Sequence, residues 1–218
     1  MKLSKRLQVI YSMVPFGVAA DVGSDHGKLI ITLFQDGKIE KGYAIENKKG
    51  PYDRLVKAIE QEGLLDDVVP LFSDGISDLP LCVDTVIIAG MGGLTIVEIL
   101  KAHLSKLSHV DTIIVDAHNA IPVVRSEITK MGYIIADEKM VEEDGTYYEI
   151  IKFIKGEVKY YSKPEIEFGP ILSAQKSALF RNKCQSRIKE IDNLLLHQLP
   201  EKRVIELKDE KQRIMNVL

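Results

Sequence analysis

The stretch Val18-Ala19-Ala20-Asp21-Val22-Gly23-Ser24-Asp25-His26-Gly27 decides the fold. Its short apolar run reads as a buried strand. Two glycines spaced by Ser24, Asp25 and His26 then form a tight turn, and Leu29, Ile30, Ile31, Leu33 and Phe34 resume as a helix that Asp36-Gly37 stops. Strand, turn and helix make the corner at which open α/β sheets bind ligands. Gly23 and Gly27 allow positive φ and close approach of the backbone to a ligand. The turn does not read Gly-x-Gly-x-x-Gly, the spacing that seats a pyrophosphate at a helix N-terminus. Asp21 ends the strand and Asp25 sits in the turn, and two carboxylates there repel a pyrophosphate. They suit a ligand with an ammonium group and no phosphate. S-adenosylmethionine, which carries an amino-acid head, a sulfonium and an adenosine, is such a ligand. The plain alternative is a Gly-containing turn in some other α/β protein.

Working outward, Leu3, Leu7, Ile10 and Val14 recur at helical spacing and predict an amphipathic helix that Pro15 ends. Lys2, Lys5 and Arg6 stand at its start, where cations oppose the helix dipole, so they read as surface charge or as a phosphate contact. A second strand, Lys41-Gly42-Tyr43-Ala44-Ile45, ends at Glu46. An acidic residue at the end of the second strand is placed to accept both hydroxyls of a ribose. A helix opened by Pro51 and closed by Gly63 leads to a third strand, Val68 to Phe72, with Pro70 marking an edge or bulge. Asp74-Gly75 follows, either as a partner for the adenine amine or as a plain turn. Val83 to Ile88 is the most apolar strand and so reads as central. It runs into Ala89-Gly90-Met91-Gly92-Gly93, where the glycines imply backbone pressed against a ligand or a helix. Helical spacing then continues through Ile96, Ile99, Leu100, Leu104 and Leu107. Strand five, Thr112 to Val115, leads to Asp116-Ala117-His118-Asn119. A helix opened by Pro122 precedes a hairpin turning at Asp144-Gly145. The pattern predicts a doubly wound, Rossmann-like α/β domain. Its polar and Gly-rich clusters all fall at the carboxyl ends of strands, where such sheets bind ligands.

From about Ser173 strand-like runs vanish. Ile188, Ile191 and Leu195, and after Pro200 Val204, Leu207, Ile214 and Leu218, step by helical intervals. They predict two helices paired as an antiparallel coiled-coil hairpin. The division expected is a cofactor-binding domain over 1–160 and a helical extension over 161–218. The 218 residues carry a net charge of −3, but Ser173–Leu218 holds ten Lys/Arg against six Asp/Glu, leaving a basic tail on an acidic body. That asymmetry suits a tail that meets an anion, or a solvated helical face. With 45% hydrophobic and 28% charged residues the chain reads as globular rather than disordered. Cys82 and Cys184 fit no metal spacing and suit a reducing, cytoplasmic compartment. No apolar run approaches the roughly 20 residues that span a bilayer, so no membrane association is expected.

Together these residues resemble the bacterial tRNA (adenine-N1)-methyltransferases that modify the adenine at position 22. The resemblance spans essentially the whole chain. It rests on Leu3-Ser4-Lys5-Arg6-Leu7, on Asp21-x-Gly23-Ser24-Asp25-His26, and on Glu46 followed by Gly50-Pro51. Asp74-Gly75, Ala89-Gly90-Met91-Gly92-Gly93, Tyr148-Glu149 and Phe168-Gly169-Pro170 complete it. The chain departs from that pattern at Gly27-Lys28 and at Ala117-His118, while Asn119 matches. The resemblance implies a class I S-adenosylmethionine-dependent methyltransferase domain with a C-terminal helical coiled-coil extension. It places the cofactor on Asp21, Gly23, Glu46, Asp74 and Gly75. The first turn adds Ser24, Asp25 and His26, and the strand-four loop adds Ala89, Gly90 and Met91.

Adenine N1 carries a lone pair, so attack on a methyl sulfonium needs no prior deprotonation. Orientation and electrostatics should then carry the catalysis. Asp25, His26 and Asn119 are the polar candidates near the methyl group, with the Asn119 carbonyl expected to accept from the adenine amine. The tRNA is expected on Lys5, Arg6, Lys176, Arg181, Lys183 and Arg187, and no metal is expected. Two other readings use the same residues: a methyltransferase acting on another RNA or a small molecule, and a nucleic-acid-binding protein without catalysis. The intact set Asp21, Glu46 and Asp74 argues against the second.

Overall fold

The computed structural model describes residues 2–157 and 159–218, and Asp25 by its backbone alone. Helix α1 (Lys5–Met13) precedes β1 (Val18–Val22), α2 (Lys28–Gln35), β2 (Lys41–Glu46), α3 (Lys49–Gln61) and β3 (Val68–Phe72). Then come β4 (Thr85–Met91), α4 (Gly93–Ala102), β5 (Thr112–Ala117), α5 (Ile121–Lys130), β6 (Tyr133–Glu143) and β7 (Thr146–Lys155). Four helices close the chain: α6 (Lys163–Phe168), α7 (Pro170–Gln175), α8 (Ala178–Leu195) and α9 (Glu201–Val217).

One seven-stranded sheet has the order β3-β2-β1-β4-β5-β7-β6. The first five strands run parallel, and β7 enters antiparallel between β5 and β6. Pro70 lies on the edge strand β3 and the apolar β4 at the centre, as the sequence predicts. The order reverses between β1 and β4, which opens a crevice above their carboxyl ends.

Side chains alternate across the central strands. Ala20, Val22, Val86, Ile88, Ile113 and Val115 face one apolar cluster with α4 and α5, whereas Ala19, Ile87 and Ile114 face the other with α1, α2 and α3. Burial on both faces explains why these strands read as continuous apolar runs. The hairpin turn uses Asp144 at φ 51° and Gly145 at φ 75°, the left-handed pair that an Asp-Gly hairpin requires.

Three expectations need correction. The helix after strand four stops at Ala102, and Leu104–His109 forms a separate 3-10 turn with Leu107 buried and Leu104 exposed. Strand four extends to Met91, so Ala89, Gly90 and Met91 belong to the strand and not to a loop. Within the extension expected over 161–218, two further helices, α6 and α7, precede the expected pair, each too short for periodicity to reveal. Ser162 caps α6 in a capping box with Glu165.

The C-terminal helices α8 and α9 pair antiparallel, with Arg187 bonded to Glu210 through Nε (2.6 Å) and Nη2 (3.0 Å). Their apolar cluster of Phe180, Cys184, Ile191, Leu207 and Ile214 takes in Leu172, Phe168 and Met140, so the pair is docked on the sheet. Among the described residues, no helix is long and apolar enough to cross a membrane.

The docking point is a buried ion cluster. Arg125 of α5 donates through Nε to Glu138 (2.7 Å), through Nη2 to Glu149, and through Nη1 toward the Ile166 and Glu167 carbonyls. Glu138 also accepts the Ile171 and Leu172 N–H groups that open α7 (2.8 and 3.3 Å). Gly169, at φ +83°, passes so close that an added Cβ would stand 2.6 Å from either Glu138 oxygen and 2.7 Å from Arg125. Phe168-Gly169-Pro170 and Glu149 therefore build the seat of the extension.

Candidate functional site

A cleft of about 480 Å³ opens above β1, β2 and β4, lined among others by Val22, Gly23, Ile45, Glu46, Ser73, Gly75, Gly90, Met91, Thr95 and Ile99. A second pocket of about 370 Å³ adjoins it, lined by Arg6, Leu7, Asp21, Gly23, His26, Lys28, Leu29, Ala89 and Gly90. The two share Gly23, Ala89 and Gly90.

The first turn is pinned to β2. The Gly23 and Ser24 N–H groups both donate to the Ile45 carbonyl, at 2.9 and 3.2 Å. Asp21 is buried, and Ser24 Oγ donates to its Oδ2 at 2.6 Å. Burial pushes the Asp21 carboxyl up to about 6 although the Ser24 hydroxyl pulls the other way. Ser24 thus orients Asp21 and is itself buried. His26 is exposed and holds φ 57°, a left-handed conformation that side chains seldom adopt. The side chain of Asp25, a candidate catalytic residue, lies outside the described part of the structure.

Glu46 lines the cleft where β2 ends. Its Oε1 accepts the Asn47 and Lys48 N–H groups, both at 3.0 Å, and no hydrogen bond to Oε2 is seen among the described residues. Asp74 is exposed and accepts from Asn47 Nδ2 at 3.0 Å, while Ser73 and Gly75 form the wall beside it. Gly90 is the residue at which the β4–β5 register shifts, and its φ of +77° suits glycine. That bulge turns bare backbone toward both pockets. These features fit S-adenosylmethionine: a carboxylate with a free oxygen for a ribose, apolar Ile45 and Ile99 for an adenine, and buried Asp21 beyond the bulge for an ammonium head.

Asn119 is anchored by its neighbour in α4. Its side-chain carbonyl accepts the Gly93 N–H at 3.1 Å and so caps the start of α4. The oxygen carries a second lone pair, so this bond orients the amide and leaves an acceptor position for the expected adenine amine.

Arg6 enters the second pocket instead of lying on an outer surface. Ser4 caps α1 by accepting the Leu7 N–H (3.3 Å), which sets Arg6 in the first turn. Its guanidinium lies over the Tyr148 ring at 4.8 Å from the centroid, beside buried Asp116 and within 3.1 Å of His118 Nε2. The Lys5 N–H donates to Glu143 at 2.7 Å and ties α1 to the hairpin.

In the tail, Lys183 pairs with Glu149 and Arg187 with Glu210 and Glu190, so both are neutralised within the molecule. Lys176 reaches the Leu218 carbonyl, and Arg181, which is exposed, donates to the Lys176 carbonyl. Arg54, Thr95 and Ile99 line the cleft without a functional signal in the sequence, since each falls within ordinary helical text, and Pro51 joins them. Asp116 and Tyr148 were visible as residues, but only strand register brings them to Arg6. Among the described residues, no cluster of three or more His, Cys, Asp or Glu side chains could hold a metal ion.

The family model for tRNA (adenine(22)-N(1))-methyltransferase matches residues 19–217. The chain belongs to the tRNA (adenine(22)-N1)-methyltransferase family. The curated tRNA (adenine(22)-N(1))-methyltransferase of Bacillus subtilis is 30% identical over 201 residues, 89% of this chain and 84% of that protein. A Streptococcus pneumoniae protein, Sp1610, solved in complex with S-adenosyl-L-methionine, is 33% identical over 100% of both chains, with a TM-score of 0.92. The M. capricolum family member, solved with S-adenosyl-homocysteine, is 26% identical over 99% of this chain and 97% of that one, with a TM-score of 0.89. As a tRNA (adenine-N1)-methyltransferase, the chain takes its methyl group from S-adenosylmethionine.

Proposed function

We propose a division of labour among the residues of this tRNA (adenine-N1)-methyltransferase. Glu46 Oε2 accepts the ribose hydroxyls while Asn47 and Lys48 hold the other oxygen. Asp21, oriented by Ser24, faces the ammonium head. Gly90 lets the reacting groups meet across bare backbone, and the target adenine enters the second pocket between Arg6 and His26. The observation that carries this reading is that the two pockets meet at Gly23, Ala89 and Gly90. The cofactor supplies an electrophilic methyl group on a sulfonium. Adenine N1 already holds its lone pair, so the protein orients the base and removes no proton from it. N1 lies on the pairing edge, which requires an unpaired or extruded base.

Arg6 and the extension over 161–218 contact tRNA phosphates in this reading. Exposed Arg181, Lys189, Lys202 and Lys208 replace Lys183 and Arg187 as the tail's contacts, since the latter two are spent on internal carboxylates. The test is nucleoside mass spectrometry of tRNA incubated with the enzyme and labelled cofactor, which should yield 1-methyladenosine lost on replacing adenine 22. Reversing the four exposed tail charges to Glu should weaken tRNA binding and its salt dependence and leave cofactor affinity intact. Unchanged tRNA affinity in that variant would remove the tail from the interface.

A further inference from the structure

Asp116 closes β5 with its side chain fully buried, and neither carboxylate oxygen accepts a hydrogen bond among the described residues. The nearest cation is Arg6, whose Nε stands 3.3 Å from Oδ2 yet makes no hydrogen bond of its own. The pair is held by charge alone. Arg6 is steadied from other sides by the Tyr148 ring and His118, and these two rings meet edge to face at 6.1 Å. A Cβ added at Gly90 would lie 3.8 Å from Arg6 Nη2 and 3.9 Å from His118 Nε2. The guanidinium therefore stands beside the bulge that the two pockets share.

During transfer the N1 lone pair forms the new N–CH3 bond as the S–CH3 bond breaks, and that bond's electron pair stays on sulfur. Positive charge leaves sulfur and arrives on the base, with no proton moved. A bare guanidinium beside the base would oppose that arrival. We propose that Asp116 is a positioning residue for methyl transfer: its buried charge holds Arg6 at the mouth and cancels the Arg6 field at the base acquiring charge. Because no directed hydrogen bond ties the pair, and His118 engages Nη1 alone, the Arg6 Nη2 group stays available to tRNA. This rests on the placement of the target adenine in the second pocket.

The test measures single-turnover rate at saturating tRNA and cofactor, with tRNA affinity measured separately, for Asp116→Asn, Arg6→Gln and the double variant. Asp116→Asn should slow transfer roughly tenfold or more and keep tRNA affinity. Arg6→Gln should weaken tRNA binding. The double variant should regain a rate within roughly threefold of Arg6→Gln while keeping its weak binding, because the two residues act as a unit. A double variant no faster than Asp116→Asn, or Asp116→Asn at the wild-type rate, overturns the proposal. Wild-type tRNA affinity in Arg6→Gln overturns the placement of the tRNA, and the proposal with it, so the two failures are distinguishable. Should Asp116→Asn not fold, acid does the same work in the native chain. The groups facing Asp116 are Arg6 of α1, His118 following β5, Glu143 of β6 and, through Arg6, Tyr148 of β7. Protonating Asp116 should lower the single-turnover rate on the acid side, and Arg6→Gln should flatten that limb. An acid limb unchanged in Arg6→Gln overturns the proposal.

Discussion

At Arg125 a buried guanidinium meets Glu138, Glu149 and the Ile166 and Glu167 carbonyls, and the Glu138 carboxylate collects two further backbone N–H groups. At Arg6 a guanidinium 23% exposed faces a carboxylate that is 0% exposed, without one hydrogen bond between them. Both are arginine–carboxylate pairs at the hairpin, and adjacent residues of β7 serve them: Tyr148 lies under Arg6 and Glu149 binds Arg125. The first pair is saturated and joins the extension to the sheet. The second is left short of partners beside the bulge that the two pockets share. A buried ion pair stabilises only when its remaining hydrogen-bonding capacity is met. In the proposed reading, the deficit at Arg6 is where tRNA completes the set.

The contrast would break most visibly at Arg125. Arg125→Met leaves Glu138 buried without its cation and Glu149 with Lys183 alone, and should cost about 3–5 kcal/mol in urea unfolding. Arg6→Gln should cost less than Arg125→Met, since the side chain lost is partly exposed and only one buried carboxylate, Asp116, loses its cation. Equal effects in the two variants would show that saturation does not separate structure from function here.

A second test lies in Glu46, whose Oε1 accepts two backbone N–H groups while Oε2 accepts none among the described residues. Glu46→Ala should weaken S-adenosylmethionine binding by about 1–3 kcal/mol in calorimetry, the cost of leaving a polar partner unmade. Wild-type affinity would remove the ribose role.

The smallest effect is in pH. Burial raises the Glu149 carboxyl, but Arg125 and Lys183 together outweigh it and hold the group below its usual range. Its contribution to stability is present above the unfolded carboxylate pKa and is lost as pH falls through the folded value. Asp21 acts in the opposite sense. Its pKa of about 6 favours the folded state at acid pH, and that contribution is lost as pH rises through about 6. Protonated Asp21 no longer attracts an ammonium group. Cofactor affinity should thus fall by up to about tenfold as pH drops below 6, and Asp21→Asn should abolish the dependence. A flat profile in the wild type would move the ammonium head away from Asp21.

Much of the fold was legible because strands buried on both faces leave apolar runs and helices leave a period near four. The β1 corner, the edge position of Pro70 and the Asp-Gly hairpin each follow from local chemistry that neighbours along the chain impose. Glu46 and Gly90 were legible for the same reason: they sit at strand ends, where an α/β sheet meets its ligands. The short helices α6 and α7 escaped because six residues are too few to show a period. Partnership escaped altogether. Nothing in the text around Lys183 or Arg187 distinguishes a cation spent on a carboxylate from one facing solvent. Asn119 read as a base-contacting amide, and only the packing of α4 showed that its carbonyl also accepts the Gly93 N–H. Local sequence determined the elements and where ligands lie along them, since propensity and periodicity act between near neighbours. Only the tertiary structure decided which charges are satisfied. Arg6, Asp116 and Tyr148 come from α1, β5 and β7, and strand order alone brings them into contact.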